Sequence, residues 1–367
     1  MRALGVVTAA CLLAGCAARA TVTSAPAAER IAIIASERGP HGVRLVAIDE
    51  HGDRRFEVIS PVTRGLVRDT NPAISPDGQW MVFASTRDRP ASDTAGTSLW
   101  LAPLGGVEAT PATPATPIRL TTGTWIDSHP VWTPDGGAIV FASTRDGGDF
   151  DLWQLALRAG RVVGDAVQLT TSIGHEITPA VAPDGAIIYA AVTPTGSREV
   201  ESHLEERAPD GTVRTLTGGP ADTSPAVSPD GTTIVFARPH VRGDAVDGEL
   251  WQMTRGAELA TQLSDTPLTD EGGPVISRDG RFVFATSVLR GAEGNVLFSS
   301  VVHVDLREPR RKVRMRGDRA GAIERLTPAI AANQLDARAL RGDPEYLPEL
   351  ARIMARAIAR AKTRPPS

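Results

Sequence analysis

The sequence predicts an all-β fold, a six-bladed β-propeller followed by a short C-terminal α-helix. Two observations carry this prediction. A phrase built around a proline recurs along the chain, and the same order of short apolar runs follows it each time. Five copies end in Asp-Gly: Asn71-Pro-Ala-Ile-Ser-Pro-Asp-Gly78, His129-Pro-Val-Trp-Thr-Pro-Asp-Gly136, Thr178-Pro-Ala-Val-Ala-Pro-Asp-Gly185, Ser224-Pro-Ala-Val-Ser-Pro-Asp-Gly231 and Gly273-Pro-Val-Ile-Ser-Arg-Asp-Gly280. A sixth, degenerate copy is Thr327-Pro-Ala-Ile-Ala-Ala-Asn333. The anchor prolines at 72, 130, 179, 225, 274 and 328 are spaced by 58, 49, 46, 49 and 54 residues. A period in this range marks a repeat architecture with one supersecondary unit per copy.

Each unit reads as four short strands. The apolar residues after the anchor proline form the first. Pro-Asp-Gly then makes a tight turn, because proline presets the first central angle, Asp bonds its own backbone and Gly accepts positive φ. A β-rich run follows: Trp80–Ser85, Ala138–Ser143, Ile187–Ala190, Ile234–Ala237 and Phe282–Thr286. Third strands centre on Leu99-Trp100, Leu152-Trp153, Leu250-Trp251 and Val296–Phe298, and fourth strands on Arg119–Thr121, Gln168–Thr170, Thr215–Thr217 and Gln262–Ser264. Four strands in about 45 residues is the pattern of a propeller blade. Residues 31–63 supply three more strands with no anchor phrase before them. The sixth phrase would add their missing inner strand, so 31–63 and 327–333 are expected to join as a sixth blade zipped from both termini, closing a propeller over 31–333 with no open sheet edge.

The N-terminus carries a different signal. Met1-Arg2, a short apolar core and Leu13-Ala-Gly-Cys16 make an export leader that is too short to remain as a membrane span. The four residues ending at Cys16 resemble a bacterial lipobox. Residues 1–15 are therefore expected to be removed, Cys16 to be lipidated, and 16–30, small and polar, to act as a tether. Ala17 after the cysteine points to an outer membrane address, facing the periplasm. Cys11 falls inside the leader, so the mature domain has no disulfide, and its stability must come from the core.

Net charge is −4, unevenly spread: residues 306–367 hold 15 Lys/Arg and 7 Asp/Glu. The segment 334–367 reads as a basic helical tail. Asp343 is placed to cap a helix with Pro344 at its first position, Leu347, Leu350, Met354 and Ile358 share a face, and Arg352, Arg356 and Arg360 form a stripe. The apolar face packs on the propeller in one reading; in the other the arginines meet anionic lipid head groups. Nucleic acid is not expected as a partner of an exported, net-acidic chain.

Candidate site residues follow from position in the repeat. Three residues before the anchor proline stands an acid in five of six copies: Asp69, Asp127, Glu176, Asp222 and Glu271. As a ring at one channel mouth they would bind a cation or a basic peptide. Alternatively each satisfies an arginine at the end of the next strand, such as Arg87 or Arg145. His129 and His175 break the repeat rule beside Asp127 and Glu176, and are the weak metal candidates. Asp146, Asp149 and Asp151 share a loop without the remaining features of a calcium loop. Trp100, Trp153 and Trp251 hold one strand position in three repeats and read as wedges between blades. Hydrolase, phosphate-loop and zincin motifs are absent, so no catalytic residue, cofactor or enzyme activity is expected.

The phrase Asp-x-x-Pro-x-x-Ser-Pro-Asp-Gly, then Ile-x-Phe-x-Ser, Leu-Trp and Arg-Leu-Thr, resembles the TolB-like (WD40-like) β-propeller repeat. Residues 69–121 and 127–170 match best, 222–269 well, 176–217 and 271–316 loosely. Residues before Ile31 leave room for the tether and not for the α/β domain that precedes the propeller in TolB. The resemblance implies a binding propeller. The expectation is a membrane-anchored scaffold in the bacterial envelope that docks a protein or peptide at the channel mouth or across the loops. Its rival is a metal-dependent, lyase-like or glycan-binding propeller with its site in the central channel.

Overall fold

A computed structural model describes most of residues 31–307, together with 330–335. The leader, Cys16, the tether and the expected C-terminal helix lie outside the described residues, and among the described residues there is no helix. The second strands are observed as Trp80–Ser85, Ala138–Ser143, Ile187–Pro194, Thr233–Arg242 and Phe282–Arg290, and cover every expected run. The inner strands are Val67–Ile74, Asp127–Trp132, His175–Val181, Thr223–Val227 and Thr269–Ile276. Each repeat runs antiparallel from inner to second to third strand, and repeats 1 to 4 add a short outer strand, Ile118–Arg119, Val167–Gln168, Val213–Thr215 and Ala260–Gln262.

The described strands form five sheets, which corrects the expected count of six blades. Ile31–Gly39, Gly42–Asp49, Arg55–Glu57 and Ile330–Leu335 do not stand apart as a sixth sheet. They are continuous with repeat 1 in one eight-stranded sheet. The join is a short parallel pairing of Gly42 with Val67 and Val43 with Arg68. Ile330–Leu335 does pair with Ile31–Gly39, but in parallel, with Ile33 opposite Ile330. The physical reason is that residues 31–63 have no anchor phrase and turn of their own, so nothing sets an independent antiparallel inner strand there.

The core lies in the seams between sheets. Every second strand is sandwiched between two neighbouring repeats, so it is apolar on both faces rather than alternating. Phe83, Phe141, Tyr189, Phe236 and Phe284, one per repeat, are the largest buried side chains. Leu99 and Leu101 of repeat 1 pack with Ile139 and Phe141 of repeat 2. Val140 and Leu152 then pack with Ile187 and Tyr189 of repeat 3. Ile188 and Leu204 meet Phe236 and Met253 of repeat 4, and Val235 and Leu250 meet Val283 and Val302 of repeat 5. The strand-position tryptophans lie in these clusters, Trp100 as a buried member and Trp153 and Trp251 packed against theirs, as wedges between repeats should.

One turn is strained without compensation. Arg158 pairs with Arg161 across Ala159 and Gly160, both at positive φ, 49° and 72°. This is the two-residue geometry that favours Asn-Gly, because a Cβ in the left-handed region costs about 1–2 kcal/mol and Asn tolerates it best. Ala159 is exposed. Ala159→Asn is expected to stabilise the fold by about 0.5–1 kcal/mol in urea denaturation; no gain would mean the turn relaxes freely.

Candidate functional site: the central cavity

The anchor phrases meet around a cavity of about 410 Å³ lined by all five inner strands. Its shape comes from one repeated irregularity. In every repeat the ladder between inner and second strand skips the anchor dipeptide: Thr70 pairs with Ala84 and Ala73 with Val82, and the same break falls at 128–131, 177–180, 223–226 and 272–275. The residue before each proline sits in the left-handed region: Asn71 (φ 51°), His129 (49°), Thr178 (51°), Ser224 (54°) and Gly273 (59°). For a β-branched residue such as Thr178 this is a strained conformation, of order 1–3 kcal/mol, and it persists only where the surroundings hold it. Five bulges therefore stand around the cavity, each removing an X-Pro pair from the ladder and turning the strand.

Bonds between repeats hold the ring together. The Ser224 N–H donates to Thr178 Oγ1 at 3.2 Å, and Trp132 Nε1–H donates to the Ala73 carbonyl at 3.1 Å. Arg278 stands where the other four phrases have a second proline. Its Nη2 reaches the Ser75 carbonyl of repeat 1 at 2.8 Å. The lining is otherwise proline, alanine, valine and isoleucine, with the Trp132 ring and the polar anchors. Among the described residues no carboxylate belongs to it. Loss of solvation pushes the His129 imidazole down to about 4, so it is neutral at pH 7. Its Nδ1 lies 3.1 Å from Ser128 Oγ. The cavity is thus apolar and proline-walled, with a polar ring and the Arg278 cation among its described lining.

The acids expected at the channel mouth are placed elsewhere. Asp69, Asp127, Glu176, Asp222 and Glu271 are 0–2% exposed and sit inside the seams. Asp69 accepts from Ser85 Oγ (2.6 Å), Arg87 Nε (3.0 Å) and Arg87 Nη2 (2.7 Å). Asp127 accepts from Ser143 Oγ (2.6 Å) and Arg145 Nη2 (2.8 Å), and Asp222 from Arg238 Nε (2.6 Å) and Nη2 (2.8 Å). The arginines are stacked on the rings of their own repeats: Arg145 lies 4.9 Å from the Phe141 centroid and 5.0 Å from Trp153, and Arg238 lies 5.0 Å from Phe236 and 4.9 Å from Trp251. Of the two expectations for this acid, the arginine partnership is the one the geometry displays in three repeats.

Glu176 and Glu271 have no arginine. Burial pushes both up to about 8; the nearby charges of Asp151 and Glu205 add to the effect at Glu176, and that of Glu249 at Glu271. Glu271 is surrounded by hydroxyls from Thr266, Thr269 and Ser287. The sequence held a signal for this exception: the acid is spelled Glu, not Asp, in the two repeats with no arginine opposite it or two residues beyond, which have Ala191 and Thr193, and Ser287 and Leu289. His175 is not part of the cavity lining; its Nδ1 accepts the Phe150 N–H at 3.1 Å. Asp151 is buried at the seam beside Glu176. Among the described residues no group of three or more His, Cys, Asp or Glu is placed to hold a metal.

Comparisons with known proteins agree with this geometry. The TolB beta propeller domain family matches residues 111–288. No curated protein matches the sequence. Among solved structures, a putative TolB from Agrobacterium tumefaciens is 18% identical, with 71% of this chain and 83% of that one covered at a TM-score of 0.53. TolB from Acinetobacter baumannii is 19% identical, covering 77% and 62% at a TM-score of 0.57. Kuenenia stuttgartiensis hydrazine synthase is 15% identical, covering 75% and 41% at 0.56. At these identities the likeness is one of fold.

Proposed function

Because this chain is a TolB-like β-propeller, we propose that it acts as a protein-binding module of the cell envelope and takes an extended segment of its partner into the central cavity. The observation that carries this reading is the ring of five X-Pro bulges, four of them held at positive φ by non-glycine residues, around a cavity whose described lining has no carboxylate. Strain of this kind gathers where the fold pre-organises a surface for a ligand. An extended chain needs flat apolar walls and a few fixed polar groups, which the prolines and the ring of Asn71, His129, Thr178 and Ser224 supply. The protein is read as a binder and not an enzyme, since the half-buried His129 is neutral and stands without an acidic partner in the lining.

The leader supports placing the propeller on a lipid anchor at Cys16, at the outer membrane and facing the periplasm, with the basic tail available to anionic head groups. Cys16→Ser is expected to move the protein from the membrane to the soluble fraction; retention in the membrane would contradict the anchor. The cavity is tested by Ala180→Trp, which sets an indole in the lining. This variant is expected to lose the partner captured by the tagged wild-type chain while Ile118→Trp, at an exposed outer strand, keeps it. Capture unaffected by Ala180→Trp would place the binding surface outside the cavity.

A further inference from the structure

One residue in the lining of the central cavity departs from its repeat in a way the fold does not require. The second proline of the phrase stands at 76, 134, 183 and 229, and the fifth copy has Arg278. Proline at this position joins one turn to the next: Pro76, Pro183 and Pro229 lie against Gly136, Gly231 and Gly280 of the following repeats. Arg278 crosses instead to repeat 1, through its bond to the Ser75 carbonyl. That bond occupies one of five N–H donors and asks for no positive charge. Pro76 and Arg278 lie beyond the ends of their inner strands, Val67–Ile74 and Thr269–Ile276, so the guanidinium marks the turn end of the cavity.

The charge is not used by the propeller itself. Arg87, Arg145, Arg238, Arg255 and Arg281 each meet a carboxylate at 2.6–2.9 Å. Among the described residues no ion pair reaches Arg278, and its one hydrogen bond is the one to Ser75. Asp77 acts on it through space only, its Oδ1 accepting from Ser75 Oγ and the Gln79 N–H. Loss of solvation draws the guanidinium below the ordinary arginine value, and the charge of Asp77 opposes this. The side chain is exposed all the same, so a solute can reach it. With His129 neutral, Arg278 is the one charged group in the described lining.

We propose that Arg278 receives the C-terminal carboxylate of the partner protein, with the last residues of that chain laid along the anchor prolines. This rests on the cavity being the partner site. A guanidinium fork matches a carboxylate with two parallel hydrogen bonds. Position and room favour a chain end over an acidic side chain. The Arg278–Ser75 bond crosses the turn end, so a segment entering from the other end meets the cation with its tip. At about 410 Å³ the cavity is near the lower limit of ligand pockets, about 300–1,000 Å³, and does not hold a chain that doubles back. The whole chain has a net charge of −4, so its attraction for an anion is local to this residue.

The test offers the immobilised full chain an equimolar mixture of two pools of N-acetylated random tetrapeptides, one with free C-termini and one amidated. Mass spectrometry of the bound fraction is expected to show the acids enriched about tenfold over amides of the same sequence, as a charge-assisted pair provides. Arg278→Pro installs the residue of the four sister repeats, and no backbone bond among the described residues uses the Arg278 N–H, so the fold is expected to hold. This variant should lose the enrichment, and Arg278→Lys should keep part of it. Enrichment that survives Arg278→Pro, or that survives Ala180→Trp in the cavity wall, overturns the proposal. Equal capture of acids and amides by the wild type, lost in Ala180→Trp, would leave the cavity a binding site and overturn the role of Arg278 alone. Capture of amides rich in Asp or Glu as readily as the acids would make a side chain the ligand, which also contradicts the proposal. A wild type that retains neither pool would remove the cavity reading and this proposal with it.

Discussion

Arg238→Met is expected to destabilise the protein by about 3–5 kcal/mol, because it strips the partner from a carboxylate that has no access to water. Asp222 is 0% exposed, and both its oxygens are held by this one guanidinium at 2.6 and 2.8 Å. The same side chain fills the space over Phe236 and Trp251. Removing it leaves an uncompensated buried charge and a gap in the seam between repeats 3 and 4. Most of the loss belongs to the orphaned acid and not to the attraction of the pair. The double variant Asp222→Leu/Arg238→Met should therefore recover most of the stability, since an apolar pair of similar volume replaces both ions. Urea denaturation of the two variants decides it. A single-variant loss below about 1 kcal/mol, or a double variant no better than the single, would show that the seam does not depend on this charge pair.

The second large effect is a loss of stability in mild alkali. Glu176 and Glu271 hold their protons in the folded protein up to about 8, against an ordinary value of 4.5. A carboxyl that binds its proton more tightly folded than unfolded contributes stability that is fully present below 4.5 and is lost as the pH rises through about 8. Between about pH 6 and pH 9 the expected loss is about 2–3 kcal/mol for each group. Glu176→Gln keeps a neutral group in place, so it should remove about half of this slope, and the double variant with Glu271→Gln most of it. Denaturation midpoints across this window provide the check. A wild-type profile that is flat from pH 6 to pH 9, or rising, would contradict protonated glutamates in these seams.

Much of the fold was legible because the repeat states it five times. Pro-Asp-Gly after a short apolar run fixes the turn, and the apolar second strand fixes burial on both faces; Trp80–Ser85 and Ala138–Ser143 were readable to the residue. The blade count was not. Residues 31–63 contain strands but no anchor phrase, and strand content alone does not say whether they form a separate sheet or extend the sheet of repeat 1. That choice depends on a pairing as short as Gly42 with Val67 and Val43 with Arg68.

The site was read less well, for a physical reason. A carboxylate placed three residues before a proline on an inner strand looks like a channel residue if the strand is straight. Here each strand is bulged at the proline itself, and the acids upstream lie in the seams while the residues downstream line the cavity. Positive φ at Asn71, His129, Thr178 and Ser224 has no signature in the residue types, apart from Asn71 and from the glycine at 273. His129 was singled out as a departure from the repeat and does reach the cavity. His175, singled out for the same reason, serves the Phe150 backbone instead.

The cavity as partner site is tested most directly by a photo-crosslinking residue at position 180, expressed in the full chain in cells, beside the same residue at the outer-strand position 118. The account predicts one protein joined at 180 and absent at 118, with the joined peptide drawn from an extended segment of that protein. Crosslinks from 118 with none from 180 would contradict it.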